Sequence, residues 1–183
     1  MKDRIILDLC SGSGAWSEPY LQNGYDVRRF DLKDGHDIRL LHKFDERIYG
    51  ILAAPPCTSF SLAKHNFHGC TKEEMLEGLS VVDACLRIIQ VNNPYFWALE
   101  NPIGRLSDYI GPPKLIWHPW HYGDGWTKRS GLWGKFKKPK QNLCKITEPH
   151  KIKNCYHYNP AEKSARRAVT PSGFANAFFE ANR

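Results

Sequence analysis

Cys57 stands at the break in "ILAAPPCTSFSLA", where an apolar run meets two prolines. A cysteine at such a position can be a core residue, a metal ligand or a nucleophile. Free cysteine is among the most buried residue types, so a core position explains Cys57 well when it is considered alone. Pro55 and Pro56, however, fix the backbone as it leaves the run, and a fixed backbone suits a side chain held in one geometry for attack.

Two glycines and a later acid could bind a nucleoside-containing cofactor. Gly12 and Gly14 in "DLCSGSGAW" follow an apolar run directly, and glycine lets the backbone approach a ligand at the start of a helix. Asp31 lies about 20 residues further on, where an acid accepts hydrogen bonds from both ribose hydroxyls. Ser17 stands where the dinucleotide fingerprint has its third glycine, which favours S-adenosylmethionine over a nicotinamide cofactor.

A short segment after Asp31 could complete such a site. In "GHDIR", Asp37 could accept a hydrogen bond from an adenine amine, and Ile38 could cover the ring. A helix N-cap explains the aspartate equally well.

Glu100 ends the apolar run "WALENP". Partial burial of a carboxyl favours its protonated form, so Glu100 is a candidate proton donor near neutral pH, although it could instead cap a neighbouring helix. A thiolate, a proton-donating carboxyl and an adenosyl-cofactor turn are the parts needed to alkylate an electron-poor aromatic ring at carbon.

The elements that must position these residues predict an α/β fold. Strands are predicted at residues 4–9, 25–31, 49–55 and 95–101, with helices ending near residue 23 and covering 37–46 and 71–91. Thr71 and Glu74 form a capping box at the start of the last of these. This alternation predicts a doubly wound sheet with right-handed crossovers. Ligands bind outside the carboxyl ends of such strands, where Asp8, Asp31, Cys57 and Glu100 all fall.

The remainder of the chain is less regular. "LIWHPWHYG" and "SGLWGKF" are predicted strands, and the final helix is predicted with Thr170 as N-cap and Pro171 at its first position. At 183 residues we expect one domain, residues 1–183. The formal charge of +7 favours a polyanionic partner, with a basic segment at about 135–169. The sequence lacks a membrane-spanning run or a signal peptide, so we expect a cytoplasmic protein with reduced thiols.

At these residues the chain resembles the DNA cytosine-5 methyltransferases. "DLCSGSGAWS" is similar to the first cofactor motif of that family, "APPCTSFS" to its nucleophile loop and "ENP" to its Glu-Asn motif. "TKRSGLWG" resembles its arginine-bearing segment, and "TPSGFANAFFEAN" resembles its C-terminal helix. The resemblance implies a Rossmann-like S-adenosylmethionine-dependent methyltransferase fold, with a mixed, mostly parallel sheet and helices on both faces. It also implies DNA as partner and no membrane.

The resemblance assigns roles to individual residues. The cofactor would be bound by Asp8, Cys10, Gly12, Gly14, Trp16, Asp31, Asp37, Ile38, Pro55 and Asn176. The substrate would be bound by Pro56, Ser59, Ser61, Asn101 and Lys128, and the catalytic residues would be Cys57, Glu100 and Arg129.

The implied reaction begins with addition of the Cys57 thiolate to carbon-6 of cytosine. Glu100 would protonate or hydrogen-bond ring N3, so that carbon-5 attacks the methyl group. Arg129 would brace the cytosine carbonyl or the nucleophile loop, and Asn101 would hold that loop. A target in a duplex must be flipped out of the stack, and phosphate contacts from the basic segment could offset that cost.

Three departures from the family pattern affect what is expected. Cys10 replaces a phenylalanine, so packing against the cofactor would come from Trp16. Thr127 and Gly131 replace a glutamine and an arginine. Only about 35 residues separate "LWGK" from "TPSGF", so a small basic insert at about 135–169 stands in place of a target-recognition domain. Low or short sequence specificity is expected as a result.

Other interpretations remain open from the sequence. The acceptor could be a cytosine nucleotide, or the transferred group could be a modified one-carbon unit. A non-catalytic DNA-binding partner of another methyltransferase is the competing class. No metal is expected, although Cys144, His150, Cys155 and His157 form a ligand set compatible with zinc.

Overall fold

The computed structural model describes residues 4–62, 69–147 and 168–183. Its centre is a six-stranded sheet. The strands are β1 (Ile5–Leu9), β2 (Asp26–Phe30), β3 (Ile48–Ala53), β4 (Phe96–Pro102), β5 (Leu115–Trp117) and β6 (Ser130–Lys135). The helices are α1 (Glu18–Gln22), α2 (Lys72–Asn92), α3 (Leu106–Ile110) and α4 (Ser172–Asn182). Short 3₁₀ turns occur at Leu32–Asp34, Ile38–Leu40 and Pro119–His121.

The strand order is β2-β1-β3-β4-β6-β5. The first four strands are parallel to one another, whereas β6 runs antiparallel to β4 and to β5. The carboxyl ends of β1 to β4 therefore share one edge of the sheet with the beginning of β6. This mixed, mostly parallel sheet confirms the predicted architecture.

Helices cover both faces of the sheet. Every residue of β1 is buried, as expected for a parallel strand with a layer on each side. On one face Leu7 packs in a core that includes Cys85 of α2. On the other face Ile6 packs with Tyr20 of α1 and Phe178 of α4. In the part of the chain that the structure describes, no helix is long and apolar enough to cross a membrane.

Several local predictions are confirmed and others are wrong. The capping box is present, since Thr71 Oγ1 accepts from the Glu74 backbone N–H at 3.1 Å and the Glu74 carboxylate accepts from Thr71 N. The predicted helix at 37–46 is only the 3₁₀ turn Ile38–Leu40. Arg87 of α2 explains this outcome, because its guanidinium binds the carbonyl oxygens of Arg39 and Leu41 and holds the segment extended.

The start of the final helix also differs from the prediction. The helix begins at Ser172 with Pro171 at the N-cap position, and Thr170 precedes it. Pro171 offers no side-chain oxygen, and a distant residue caps the helix instead: Gly173 N donates to Asp124 Oδ2 at 3.0 Å. The first strand after residue 101 is shorter than predicted and ends at Trp117, because Pro119 opens a 3₁₀ turn. Helix α3 was not predicted.

Candidate active site

The glycine turn after β1 is joined to the end of β2. Gly12 N donates to Asp31 Oδ2 at 2.7 Å, and Lys33 N donates to Asp31 Oδ1 at 3.1 Å. Gly12 and Gly14 have φ values of 53° and 73°, in the left-handed region that favours glycine. A carboxylate has about four acceptor positions, so each Asp31 oxygen can still accept a further hydrogen bond. Asp31 therefore retains the capacity to bind a pair of ribose hydroxyls.

Asp8 lies beneath this turn and not in it. Its side chain is buried, with Oδ2 2.5 Å from the hydroxyl of Ser17, which in turn accepts from Arg29 Nε at 3.0 Å. Burial raises the pKa of Asp8 to about 6. Arg29 also donates to the carbonyl oxygen of Gly14 at 3.0 Å. This group fixes the turn from below, and Asp8 is not available for direct contact with a cofactor.

The loop that carries Cys57 is held at several points. Asn101, which is 1% exposed, donates from Nδ2 to the carbonyl oxygen of Pro55 at 3.0 Å. Cys57 O accepts from Phe60 N at 3.0 Å, and Ser59 Oγ donates to the Glu74 carbonyl oxygen at 2.8 Å. The Cys57 side chain itself is half-buried. The loop is therefore tied to β4 and to the start of α2.

Glu100 lies next to this loop through the strand register. Ala53, the last residue of β3, pairs with Leu99 of β4, so the chain leaves β3 toward Cys57 while Glu100 continues in β4 alongside. The Glu100 carboxylate lies 3.4 Å from the ammonium group of Lys128, and the two side chains are 14% and 12% exposed. The register of β4 with β6 makes this contact possible, because Pro102 pairs with Ser130.

Two buried polar atoms near this edge, Asn101 Oδ1 and Ser130 Oγ, have no hydrogen-bond partner among the described residues, and a third, Glu100 Oε1, has only the ion-pair contact with Lys128 Nζ at 3.4 Å. Buried polar atoms are normally satisfied, so a group of unsatisfied ones calls for a specific explanation. All three atoms lie near the carboxyl end of β4 or at the start of β6, where these two strands pair with each other. Arg129 lies between Lys128 and Ser130 with an exposed side chain.

Other residues predicted to contact the cofactor lie away from the glycine turn or already contact other side chains of the protein. Trp16 is 3% exposed and packs against Phe174 and Phe178. Its position indicates that it holds α4 against the core. Asp37 caps its own turn and binds the Arg39 guanidinium at 2.7 Å, and hydrogen bonding to Arg39 lowers the pKa of Asp37. Ile38 is buried in the core. The structure thus favours the N-cap interpretation of Asp37.

The remaining predicted residues divide between exposed and enclosed positions. Pro56 is exposed, Ser61 is half-buried and Pro55 is buried. Asn176 is exposed on α4 and lines a cavity of about 410 Å³ together with Ala15 and Glu18. Cys10 packs against the core, and hydrogen bonding to Cys10 together with burial raises the pKa of the Cys85 thiol.

The zinc hypothesis falls mainly outside the described residues. Cys144 is described, but His150, Cys155 and His157 are not. Within residues 4–62, 69–147 and 168–183, no group of three or more histidine, cysteine or acidic side chains is arranged to hold a metal ion.

Sequence reasoning missed Arg29, whose guanidinium contacts the glycine turn, Ser17 and Glu18. The available signal was "DVRRF", a strand with two consecutive arginines. The pairing of Lys128 with Glu100 was also missed. It depends on an antiparallel register that no local pattern encodes.

No protein-family model and no curated protein matches this chain. A solved structure from E. coli, assigned as a DNA modification methyltransferase encoded within a prophage, does match. Its TM-score is 0.53 at 16% identity, and the alignment covers 86% of this chain and 55% of that protein. The chain has a Rossmann-like methyltransferase fold. At this identity the likeness establishes the fold alone.

Two further structures align with TM-scores of 0.48. They are the methyltransferase EhMeth of Entamoeba histolytica and a DNMT2 mutant from Spodoptera frugiperda, which are 14% and 15% identical to this chain. The alignments cover 89% and 87% of this chain but 62% and 61% of those proteins. The chain therefore spans between 55% and 62% of the length of all three structures.

Proposed function

We propose that this protein transfers a methyl group from S-adenosylmethionine to carbon-5 of cytosine in DNA, through a covalent adduct with Cys57. The observation that carries the proposal is the position of the largely buried Glu100 carboxylate near the end of β4, the same strand to which Asn101 ties the loop that carries Cys57. A pyrimidine presents several hydrogen-bonding groups in one plane. A site for such a ring needs hydrogen-bond donors and acceptors, such as the Lys128 ammonium group and the Glu100 carboxyl. The similarity in fold to the prophage-encoded DNA modification methyltransferase of E. coli supports the same proposal.

The glycine turn fits the proposed cofactor. Gly12 and Gly14 provide a backbone without side chains, and Asp31 has acceptor positions to spare for the ribose. When bound, S-adenosylmethionine supplies an electrophilic methyl group. The chain must hold it across the sheet edge from Cys57, which the parallel order of β2, β1 and β3 allows.

Cys57 and Glu100 divide the chemistry of the proposed reaction. The Cys57 thiolate would add to carbon-6, while the Glu100 carboxyl, once protonated, would donate a hydrogen bond to ring N3 and stabilise the negative charge that the addition places there. Carbon-5 would thereby become nucleophilic toward the methyl group of S-adenosylmethionine, whose sulfur–methyl bond would break to release S-adenosylhomocysteine. Loss of the carbon-5 proton to a base and departure of the thiolate restore the aromatic ring. Asn101 keeps the loop in place by its bond to Pro55.

The cations beside Glu100 have a proposed role in binding. Lys128 is already the counter-ion of the carboxylate, and Arg129 extends from the same segment into solvent. An exposed guanidinium at the edge of the site suits a phosphate or the carbonyl oxygen of a base. With only a short basic insert at about 135–169, we propose that sequence readout is weak and that backbone phosphates dominate affinity.

Covalent capture tests the proposal directly. Incubation with S-adenosylmethionine and DNA containing 5-fluorocytosine should yield a protein–DNA adduct, because fluorine cannot leave carbon-5 as a proton does. Cys57→Ala should abolish capture, whereas Cys144→Ala, which removes another half-buried cysteine, should leave it intact. Absence of capture by the wild-type protein, or equal capture by Cys57→Ala, would contradict the mechanism. Mass spectrometry of the product nucleoside then identifies the transferred group.

A further inference from the structure

A second cavity, of about 410 Å³, lies at the opposite edge of the sheet from Cys57. Its aromatic lining consists of Tyr49, Tyr95, Phe96 and Phe136, and its cationic lining includes Lys114, Lys135, Lys137 and Arg183. Tyr49 and Phe96 stand near the amino ends of β3 and β4, and Lys135 ends the antiparallel strand β6. A strand of six residues spans roughly 20 Å, so this cavity is a separate site.

The rings of the cavity are interleaved with guanidinium groups. Tyr95 is 53% exposed, and its ring lies against Tyr49 with the centroids 5.4 Å apart. Arg47 lies 4.6 Å above the Tyr95 ring, and Arg4 lies 4.5 Å above the Tyr49 ring. Among the four rings of the cavity, Tyr95 is the exposed one, since Phe96 and Phe136 are each 6% exposed. An exposed ring beside several cations suits a flat, anionic ligand.

The lysines at the rim are available to an anion. Lys135 and Lys137 are exposed, and in the described ranges the ion pairs involve neither of them. By contrast, Lys114 donates to the carbonyl oxygen of Phe136 at 2.7 Å, and Arg183 pairs with Glu180 at 3.3 Å. Among the described residues, Lys135 and Lys137 therefore stand beside the aromatic rings without an ion-pair partner, and they can pair with a phosphate.

We propose that this cavity binds single-stranded nucleic acid, with a base stacked on the Tyr95 surface and phosphates paired with Lys135 and Lys137. Unpaired bases expose their faces for stacking, whereas a duplex hides them, so the aromatic surface favours a single strand. The site would hold a part of the polymer distant from the reacting base. It would contribute to affinity without taking part in the chemistry at Cys57.

A fluorescent oligo(dT) strand tests the site in the full chain. Thymine-only DNA has no cytosine, so its binding does not depend on the proposed methyl transfer, and either hypothesis can fail alone. Fluorescence anisotropy should show saturable binding that weakens as salt rises. Tyr95→Ala should weaken binding roughly tenfold through the loss of stacking, and Tyr95→Phe should retain most of the affinity. A duplex of the same length should bind more weakly than the single strand.

Charge variants provide an independent measurement that does not disturb the aromatic cluster. Lys137→Ala should reduce the slope of log K against log salt by about 0.7, the value for one phosphate contact to a single strand. Lys43→Ala removes the same charge from an exposed position elsewhere and should leave that slope unchanged. Equal effects of Lys137→Ala and Lys43→Ala would overturn the proposed phosphate contact.

Two further controls identify the ligand class. An abasic strand of equal charge should bind roughly tenfold more weakly than oligo(dT), and equal binding by the two would overturn the stacking contact. Thymidine monophosphate should bind far more weakly than the oligonucleotide, since it meets only part of the site. A monophosphate that bound as tightly would overturn the assignment to a single strand.

Discussion

Asn101 joins the end of β4 to the loop that carries Cys57: its Nδ2 atom donates to the carbonyl oxygen of Pro55 at 3.0 Å. Asn101 is almost completely buried, and its Oδ1 atom accepts no hydrogen bond from the described residues. The side chain thus acts through its donor. It couples the position of the cysteine loop to the strand that carries Glu100.

Asn101→Ala should therefore both destabilise the protein and displace Cys57. The Pro55 carbonyl loses its partner, and an unsatisfied buried group costs about 1–3 kcal/mol of unfolding free energy. Asn23 provides a matched control, since its Nδ2 also donates to a proline carbonyl, that of Pro19, at an exposed helix end. Urea unfolding measures stability, and peptide mass spectrometry after iodoacetamide treatment measures the alkylation rate of Cys57. An unchanged Cys57 rate in a folded Asn101→Ala variant would refute the coupling.

Glu100→Gln tests the carboxyl at the candidate site. The amide keeps the shape of the side chain but loses its charge and its capacity for proton transfer, which contributes roughly 10²- to 10⁴-fold to catalysis. We expect capture of 5-fluorocytosine DNA to slow by a factor in that range. Glu46→Gln, a change of the same kind at an exposed carboxylate paired with Arg28, should capture DNA at the wild-type rate. Equal rates for the two variants would exclude a chemical role for Glu100.

The local elements of this fold were predictable, because short-range signals specify them. Thr71 and Glu74 mark the start of α2 within four residues of sequence, and the predicted capping box is present. The placement of Cys57 and Glu100 at the same edge of the sheet followed from a general rule, since parallel strands have their carboxyl ends at one edge. Knowing that β3 and β4 were strands was enough for that inference.

Long-range contacts account for what the sequence did not reveal. The helix predicted at 37–46 was wrong because Arg87, more than 40 residues away, binds the carbonyl oxygens that a helix would use. Lys128 meets Glu100 only through the antiparallel pairing of β4 with β6. Asp8 could be placed at the end of a strand, but its burial under the turn depends on the packing of α1 and Arg29. Such contacts have no signature at short range.

We expect that replacing Gly14 by alanine would destabilise the protein, because a side chain there would clash with Arg29. A Cβ atom at Gly14 would lie 2.5 Å from Arg29 Cζ, whereas one at Gly12 would meet no atom within 4 Å. Both glycines have positive φ, so alanine at either position should cost roughly 1–2 kcal/mol of stability. Gly14→Ala must in addition displace the Arg29 guanidinium from Ser17, Glu18 and the Gly14 carbonyl, which adds about 1–3 kcal/mol.

A double-mutant cycle separates these two costs. In an Arg29→Ala background, Gly14→Ala should cost no more than Gly12→Ala does in the wild type, because the clash has been removed. Unfolding free energies of the four proteins provide the coupling energy. Additive effects of Gly14→Ala and Arg29→Ala would show that the clash between a Cβ atom at residue 14 and the Arg29 guanidinium does not contribute to the loss of stability.

Asp8 should make stability depend on pH in an unusual direction. Burial raises its folded-state pKa from 3.8 to about 6, so the folded state favours the protonated carboxyl. The stabilisation is complete below the unfolded pKa near 3.8 and is lost as pH rises through about 6. Relative to Asp8→Asn, the wild type should therefore lose about 2 kcal/mol of unfolding free energy between pH 4 and pH 7. Urea unfolding at several pH values measures this difference, with the exposed Asp83→Asn as control. A difference between wild type and Asp8→Asn that stays constant over this range would mean that Asp8 remains ionised in the folded protein.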